Sequence, residues 1–451
     1  MPLVLVQIGQ CGNQVGTAFW SCVARHQSPA HASSLQAVLA PVADKGSGGV
    51  RARCVLVDVE PTAVRACVQS EPLLAGCSVV TGAGTGCAGN WACGYKHSSE
   101  GGDSSLVARA MSAIRREVNS CPRTPDVLLV VGATGGTGGG LGCRLLEELR
   151  RHYRQLFIGV AAVNLGDGAL LGPFASVLCV QFLDLYADAV LLFQTDEVCG
   201  ALERSARAAG EPLPRVSLEQ VNASIGRSLC AALLPGPGIE TGGVKGWTTP
   251  LRDIVCTVCP QPGLKFLDVR TGAAPHAAFE TDTQLWISLV SSVAAEAPKR
   301  DAGRSQSAAF TSSATLVLLR GLAPGAAAMA ATSATQALSR AWATTHWHGP
   351  PQIASTSLMW HGGGVIANGV PSRGRSPSLA QQPLRAACIM SNRDACCVQL
   401  TRAADSCDAL LASGAYLHHL SAWGVDANAV RHAVAATRAV VERYGAAHRP
   451  R

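Results

Sequence analysis

The first half of the chain alternates short apolar runs with amphipathic segments. Leu3–Ile8 is apolar and rich in β-branched residues, and reads as a strand. It stops at Gly9, and GQCGNQVG follows before residues 15–23 open a helix. Residues 53–59 (RCVLVDV) form a second apolar run, closed by Glu60 and Pro61. Val107, Met111, Ile114 and Val118 recur at helical spacing. Residues 126–131 (DVLLVV) read as a buried strand running into a glycine cluster, and Leu145, Leu146, Leu149 and Tyr153 mark one side of a further helix. Residues 156–163 and Ala189–Phe193 read as two more buried strands. Strands that are apolar throughout, alternating with helices, predict a doubly wound parallel sheet in an α/β fold.

Val216, Val221, Ile225, Leu229 and Leu233 then predict a long, mostly buried helix, stopped by the Pro-Gly-Pro at 235–237. A glycine-rich connection covers 236–250. Strand-like segments at 265–269, 314–319 and 357–360 predict a second α/β domain, and the small, polar stretch 295–313 within it reads as an exposed loop. The alanine-rich segments 404–419 and 427–444 are helical by pattern and meet at Trp423 and Gly424. The expected units are a first α/β domain at 1–214, the long helix at 215–235, a second α/β domain at 236–382 and a C-terminal helical region at 383–451.

Composition narrows the class. With 48% hydrophobic residues in 451, the chain has the apolar surface that a disordered chain lacks. No apolar run approaches about 18 residues, so no membrane span is expected. The net charge of +7 is mild. Its densest basic groups, Arg150, Arg151 and Arg154, and Arg373 with Arg375, read as solvated faces, so no nucleic-acid partner is expected. The 18 cysteines are dispersed, and MPLVLVQIGQ has no basic leader or cleavage site. They are therefore expected to be reduced cytosolic thiols, many of them small core residues. Cys256 and Cys259 form a CxxC pair with no second pair at a matching spacing, which disfavours a metal site there.

The strongest chemical signal is GATGGTGGGLG, between a buried strand and an amphipathic helix. Glycines expose successive backbone N–H groups and let a ligand come close, and the following helix N-terminus adds partial positive charge. Together they suit a di- or triphosphate. A Walker loop would need Lys, which is absent, and a dinucleotide fingerprint would need GxGxxG where the first turn reads GQCGNQVG. Two glycine loops at carboxyl ends of strands can converge on one crevice of an open sheet.

These residues carry a family resemblance. QIGQCGNQVG at 7–16, VDVEP at 57–61, AGNWACGY at 88–95 and GGTGGGLG at 135–142 resemble the tubulin superfamily in order and spacing. Val221 and Asn222 in the long helix, and AYLHHLSAWGVD at 415–426, extend the resemblance over essentially the whole chain. The long helix, ATLVLLRG at 314–321 and GCAGNWACGY at 86–95 look most similar to the delta-tubulin branch, and no acidic C-terminal tail is seen.

The resemblance implies a tubulin-like fold holding GTP or GDP with Mg²⁺. It places Gln10, Cys11 and Gln14 by the phosphates, and Glu60, with Asp58 and the Gln10 amide, at the metal, where one or two carboxylates suffice for a hard cation that keeps its waters. It places Ala88, Gly89 and Asn90 and the loop Gly135, Gly136, Thr137, Gly138 and Gly139 around the phosphates. Asn222 would meet the base, Asp196 falls where the family has a second base-contacting Asn, and Asp167 is the candidate for the ribose. Several positions depart from the family pattern: Gly139 replaces a Ser, Gly89 an Asn, and Leu218 the aromatic one turn before Asn222. At roughly 0.5–1.5 kcal/mol per lost side-chain hydrogen bond, three such losses weaken binding by roughly ten- to thousandfold.

In polymerising members the hydrolytic acid comes from the next subunit. The resemblance puts Asp253 in that catalytic role, one methylene shorter than the family's Glu and beside Arg252, which could pair with it. A slow GTPase therefore stays open, and metabolic catalysis is disfavoured. The implied partners are other tubulins or microtubule and centriole components. The implied place is the cytoplasmic cytoskeleton at centrioles and basal bodies, in triplet microtubules and cilia. The alternatives are a non-hydrolysing scaffold or microtubule end factor of the zeta type, and a Rossmann-type dinucleotide enzyme. The oligomeric state stays open.

Overall fold

The computed structural model describes residues 2–26, 35–42, 49–82, 84, 86–97, 100–165, 170–208, 215–234, 250–275, 281–295, 310–322, 325–342, 346–347, 349–356 and 384–447. In chain order the first half runs β1 (Leu3–Ile8), α1 (Gly9–Arg25), β2 (Leu39–Pro41), β3 (Val50–Ala52), β4 (Cys54–Asp58), α2 (Pro61–Ser70), β5 (Ser78–Thr81), α3 (Trp91–His97) and α4 (Leu106–Asn119). It continues with β6 (Asp126–Gly132), α5 (Gly142–His152), β7 (Ile158–Val163), α6 (Gly172–Tyr186), β8 (Ala189–Phe193) and α7 (Thr195–Ala208). Then follow α8 (Leu218–Leu233), α9 (Pro250–Val258), β9 (Phe266–Pro275), α10 (Asp282–Ala295), β10 (Thr311–Arg320), α11 (Ala327–Ala341), β11 (His346–Trp347), β12 (Gln352–Thr356) and β13 (Leu384–Arg393). The chain closes with α12 (Cys396–Ser413), α13 (Leu417–Ser421) and α14 (Ala427–Ala447).

One sheet runs through both halves in the order β11-β10-β13-β9-β8-β7-β6-β1-β4-β5, with β12 also on β10. From β5 to β9 every neighbouring pair is parallel. β13 runs antiparallel to both β9 and β10. The chain winds outward from β1 in both directions, to β4 on one side and β6 on the other. That makes the carboxyl end of β1 the topological switch point, where an open α/β sheet leaves a crevice. The central strands β1, β4, β6 and β7 are buried along their whole length. This burial is why their sequences read as continuous apolar runs rather than alternating ones.

Helices cover both faces. On one side α4, α5, α6, α12 and α14 share a core with Ile8, Val57, Leu129 and Val160. On the other, α1, α8 and α9 pack over Leu5, Leu56, Val130 and Leu191. α8 begins at a capping box, in which Ser217 accepts from Gln220 N and the Gln220 side chain accepts from Ser217 N. Gly226 of α8 lies so close to α1 that a Cβ there would stand 2.7 Å from Phe19 N. α10 and α11 form a separate layer with Trp286, Val317 and Ile389.

Several readings of the chain are corrected here. Residues 384–393, assigned to a wholly helical C-terminal region, form the strand β13, buried between β9 and β10. Thr311, Ser312 and Ser313, read as the end of an exposed loop, are buried at the start of β10. Arg150 is not a solvated charge. It pairs with Asp188 at 2.7 Å and donates to the Tyr186 carbonyl at the end of α6. Residues 296–309, the connection at 235–249, the candidate strand at 357–360 and Arg373 with Arg375 lie outside the described residues. Among the described residues no helix is long and apolar enough to cross a membrane.

Candidate functional site

A cavity of about 470 Å³ opens at the switch point. Its walls are the ends of successive parallel strands. β1 leads into Gln10, Cys11 and Gln14, β4 into Asp58 and Glu60, and β6 into Gly132, Thr134, Gly135, Gly136, Thr137 and Gly138. Val163 and Asn164 close β7, Thr195 opens α7, and Leu218 and Asn222 of α8 form the far wall. Ala88 and Gly89 add a rim, with Cys87 and Ala63 beside it.

Local backbone chemistry holds these loops together. Asn13 donates to the carbonyls of Gly9 (2.9 Å) and Val57 (3.1 Å), fixing the start of α1 against the end of β4. Gly9 sits at φ +72°, and a Cβ there would stand 2.8 Å from Gly138 N, so the two glycine loops touch. Only glycine fits that combination of conformation and closeness. Residues 136–141 form a wide helical turn that leads straight into α5. Neither that turn nor α1 has a side-chain cap or an acid in its first turn. Their first N–H groups have no intrahelical acceptor, and both helices begin at the end of the sheet where the cavity lies. Cys87 to Asn90 make a tight turn, closed by Asn90 N donating to Cys87 O at 2.7 Å, with Ala88 and Gly89 both at positive φ.

The electrostatics are those of an anion site built without side-chain cations. Among the described lining residues there is no Lys or Arg. Backbone donors and helix ends supply the positive potential. Burial pushes the Asp58 carboxyl up to about 6, and Glu60 N donates to its Oδ1 at 3.3 Å. Asp58 Oδ2 is buried without a hydrogen-bond partner. An unpartnered carboxylate oxygen beside Glu60 and the Gln10 amide is a donor set that fits a hard divalent cation such as Mg²⁺. Burial also pushes the Cys11 thiol up to about 11 and Cys87 to about 12, so both line the cavity as neutral groups.

At the other end, polar side chains converge. Asn222 donates to Gln14 Oε1 at 3.1 Å. Asn164, at φ +58°, accepts from Thr195 N (2.8 Å) and Thr195 Oγ1 (2.5 Å). Leu218 is 71% exposed, an apolar surface with nothing packed over it.

The structure therefore brings together Gln10, Cys11, Gln14, Asp58, Glu60, Ala88, Gly89, Gly135, Gly136, Thr137, Gly138 and Asn222. Asn90 lies behind the wall. Its side chain caps α3 through the N–H groups of Ala92 and Cys93, and donates to His419 O at 2.7 Å. Gly139 lies behind it too, with its N–H bonded to Gly135 O. Asp196 is exposed and outside the lining, and its neighbour Thr195 takes the place at the rim. Asp167 lies outside the described residues. Thr134, Asn164 and Thr195 were missed by sequence reasoning. Each is among the first polar residues past a buried parallel strand, and that signal would have found them.

Asp253 sits elsewhere. Its neighbour Arg252 pairs with Asp126, at 3.2 Å, at the amino end of β6. β6 spans seven residues, which at about 3.3 Å each puts roughly 20 Å between Asp253 and the cavity of its own chain.

Comparison with known proteins agrees with this geometry. Residues 2–202 match the family model described as Tubulin/FtsZ family, GTPase domain. A tubulin delta chain of Homo sapiens is 26% identical over 297 residues, covering 61% of this chain and 62% of its own length. A tubulin delta chain of Canis lupus familiaris is 27% identical over 292 residues, covering 60% and 61%. A tubulin gamma chain of Candida glabrata is 27% identical over 282 residues, covering 59% and 57%. The match thus spans about three fifths of the length of these relatives.

Proposed function

We propose that the protein, whose residues 2–202 match the GTPase domain of the tubulin/FtsZ family, binds a guanine nucleotide with Mg²⁺ in the switch-point cavity and acts in the tubulin cytoskeleton. The observation that carries this reading is the meeting of two glycine loops, Gly9 on Gly138, over a buried acid with an unpartnered oxygen. The N–H groups at the start of α1 and at 136–138 take the phosphates. Asp58, Glu60 and Gln10 hold Mg²⁺, which neutralises phosphate charge when bound. Asn222, positioned by Gln14, reads the base, with Asn164 and Thr195 close by. Leu218 gives the base an apolar face.

The similarity to delta chains, together with the delta-like long helix, supports a place at centrioles and basal bodies. There the protein would form or maintain triplet microtubules and cilia, with other tubulins or centriole components as partners.

The place of Asp253 favours a second reading within the same class, an isolated subunit that holds GTP as a scaffold or end factor. Hydrolysis in that case requires a neighbour stacked on the cavity mouth.

The test is the nucleotide content of purified protein, released by denaturation and separated by chromatography. Stoichiometric GTP supports binding without turnover, and GDP supports turnover. Empty protein that also fails to take up added GTP–Mg²⁺ overturns the proposal.

A further inference from the structure

The two helices that frame the cavity cross at a point where their backbones nearly touch. A Cβ on Gly226 of α8 would stand 2.7 Å from Phe19 N and 2.8 Å from the Ala18 carbonyl carbon of α1. One turn from this contact toward the cavity, Asn222 meets Gln14. One turn the other way, the same crossing brings Cys230 of α8 against Cys22 of α1. His26, one further turn along α1 and on the same face as Cys22, completes a cluster. The Sγ atoms of Cys22 and Cys230 and a ring nitrogen of His26 all lie within 4.8 Å of one another. All three residues are about 1% exposed or less.

Two thiols and an imidazole are the ligand types of tetrahedral zinc. With Zn–S about 2.3 Å and Zn–N about 2.0 Å, tetrahedral ligand atoms stand roughly 3.5–3.8 Å apart, so the cluster needs to close by at most about an ångström. The His26 ring is already oriented, its Nδ1 bonded to the Cys22 carbonyl at 2.8 Å. A hydrogen bond from one ring nitrogen to a backbone carbonyl is how proteins set the tautomer of a metal-binding histidine. Without metal the two sulfurs share a hydrogen bond, which with Arg227, Arg25 and Arg320 lowers Cys22, while burial holds the Cys230 thiol well above its ordinary value, so a metal ion has to displace that proton. Arg320 Nη1 is buried without a hydrogen-bond partner and lies within electrostatic range of both sulfurs.

We propose that Cys22, His26 and Cys230 bind one Zn²⁺ ion that staples α1 to α8, separately from the cation at Asp58 and Glu60. Binding releases one proton from each thiol to solvent and leaves a neutral unit of Zn²⁺, two thiolates and a neutral imidazole. A fourth position remains for water.

The test uses the full chain, reduced and stripped of metal, titrated with Co²⁺ as a spectroscopic probe. The expected result is one equivalent with a near-ultraviolet sulfur-to-cobalt charge-transfer band, displaced by one equivalent of Zn²⁺. The band survives in Cys256→Ser, which alters an exposed thiol, and is lost in Cys22→Ser and Cys230→Ser. No band in the wild type, or a band that persists in Cys22→Ser, overturns the proposal. X-ray absorption at the zinc edge of the wild-type protein decides even if the variants fail to fold. Two sulfurs at about 2.3 Å and a nitrogen at about 2.0 Å support the site, and a shell of oxygens alone overturns it.

Discussion

Asp58 shows how one buried carboxyl ties the cavity to pH. Burial raises it to about 6 from an ordinary 3.8. The fold therefore favours the protonated acid. The relative stabilisation this provides is complete below about pH 4 and is lost as pH rises through about 6. A bound cation needs the carboxylate, so its own effect runs the opposite way. The rise in melting temperature given by GTP–Mg²⁺ is expected to shrink as pH falls below about 6, and to lose this dependence in Asp58→Asn. A rise that stays constant from pH 5 to 8 in the wild-type protein would sink the assignment. Leu218 sets a second expectation. An aromatic ring stacked on a base contributes roughly 1–3 kcal/mol, so Leu218→Tyr is expected to tighten guanine-nucleotide binding by about 5- to 150-fold, read by fluorescence titration. Unchanged affinity would place the base away from α8.

Between elements, contacts rather than propensity set the geometry. α6 is apolar on nearly every side because it lies between the sheet and the terminal helices α12 and α14. Its period carries little signal, and the sequence pattern passed over it. Lys265 secures its end by donating to the carbonyls of Asp184 and Ala187. The α1–α8 crossing depends on a missing side chain. Gly226→Val would force these helices apart by overlap with Ala18 and Phe19. The expected cost is about 1–3 kcal/mol of stability, seen in thermal unfolding. A loss of nucleotide affinity is expected with it, since Asn222 and Gln14 separate. A variant of wild-type affinity would show that the crossing does not position the base contact.

The two halves of the molecule are joined by buried polar anchors. Arg320, wholly buried in β10, donates to the Ala231 carbonyl at 2.8 Å and the Leu234 carbonyl at 2.6 Å at the end of α8. It supplies from the second half the partners that a helix C-terminus lacks. Arg320→Met leaves both carbonyls unpaired, and destabilisation of about 2–5 kcal/mol is expected in denaturant or thermal melts. Tyr444 plays a similar part for the terminal helices. Its hydroxyl lies 3.0 Å from Phe266 N, which donates to it, and 2.9 Å from Asn392 Oδ1. Asp253 belongs to this scale as well, because its place beside the amino end of β6 means that the hydrolytic role implied by the resemblance would need a second molecule's cavity.

The parallel strands of the first half were readable because a strand buried on both faces must be apolar throughout. The glycine loops were readable because their close backbone approach, Gly9 against Gly138, excludes side chains. The resemblance they carry follows from the same local demands. β13 and α6 escaped because their environments come from distant neighbours. Leu384–Arg393 is a strand only because β9 and β10 flank it. In the cavity, the glycines and Asn222 follow from local pattern, whereas the choice of Thr195 over Asp196, the withdrawal of Asn90 to a helix cap and the isolation of Asp253 do not. Nor does the meeting of Cys22 with Cys230, two hundred residues apart in the chain, which depends on the close crossing at Gly226. Periodicity and glycine spacing are properties of a segment, and they survive in a one-dimensional reading. Which polar side chain faces a cavity, and which partner it meets there, is set by the packing of segments far apart in sequence.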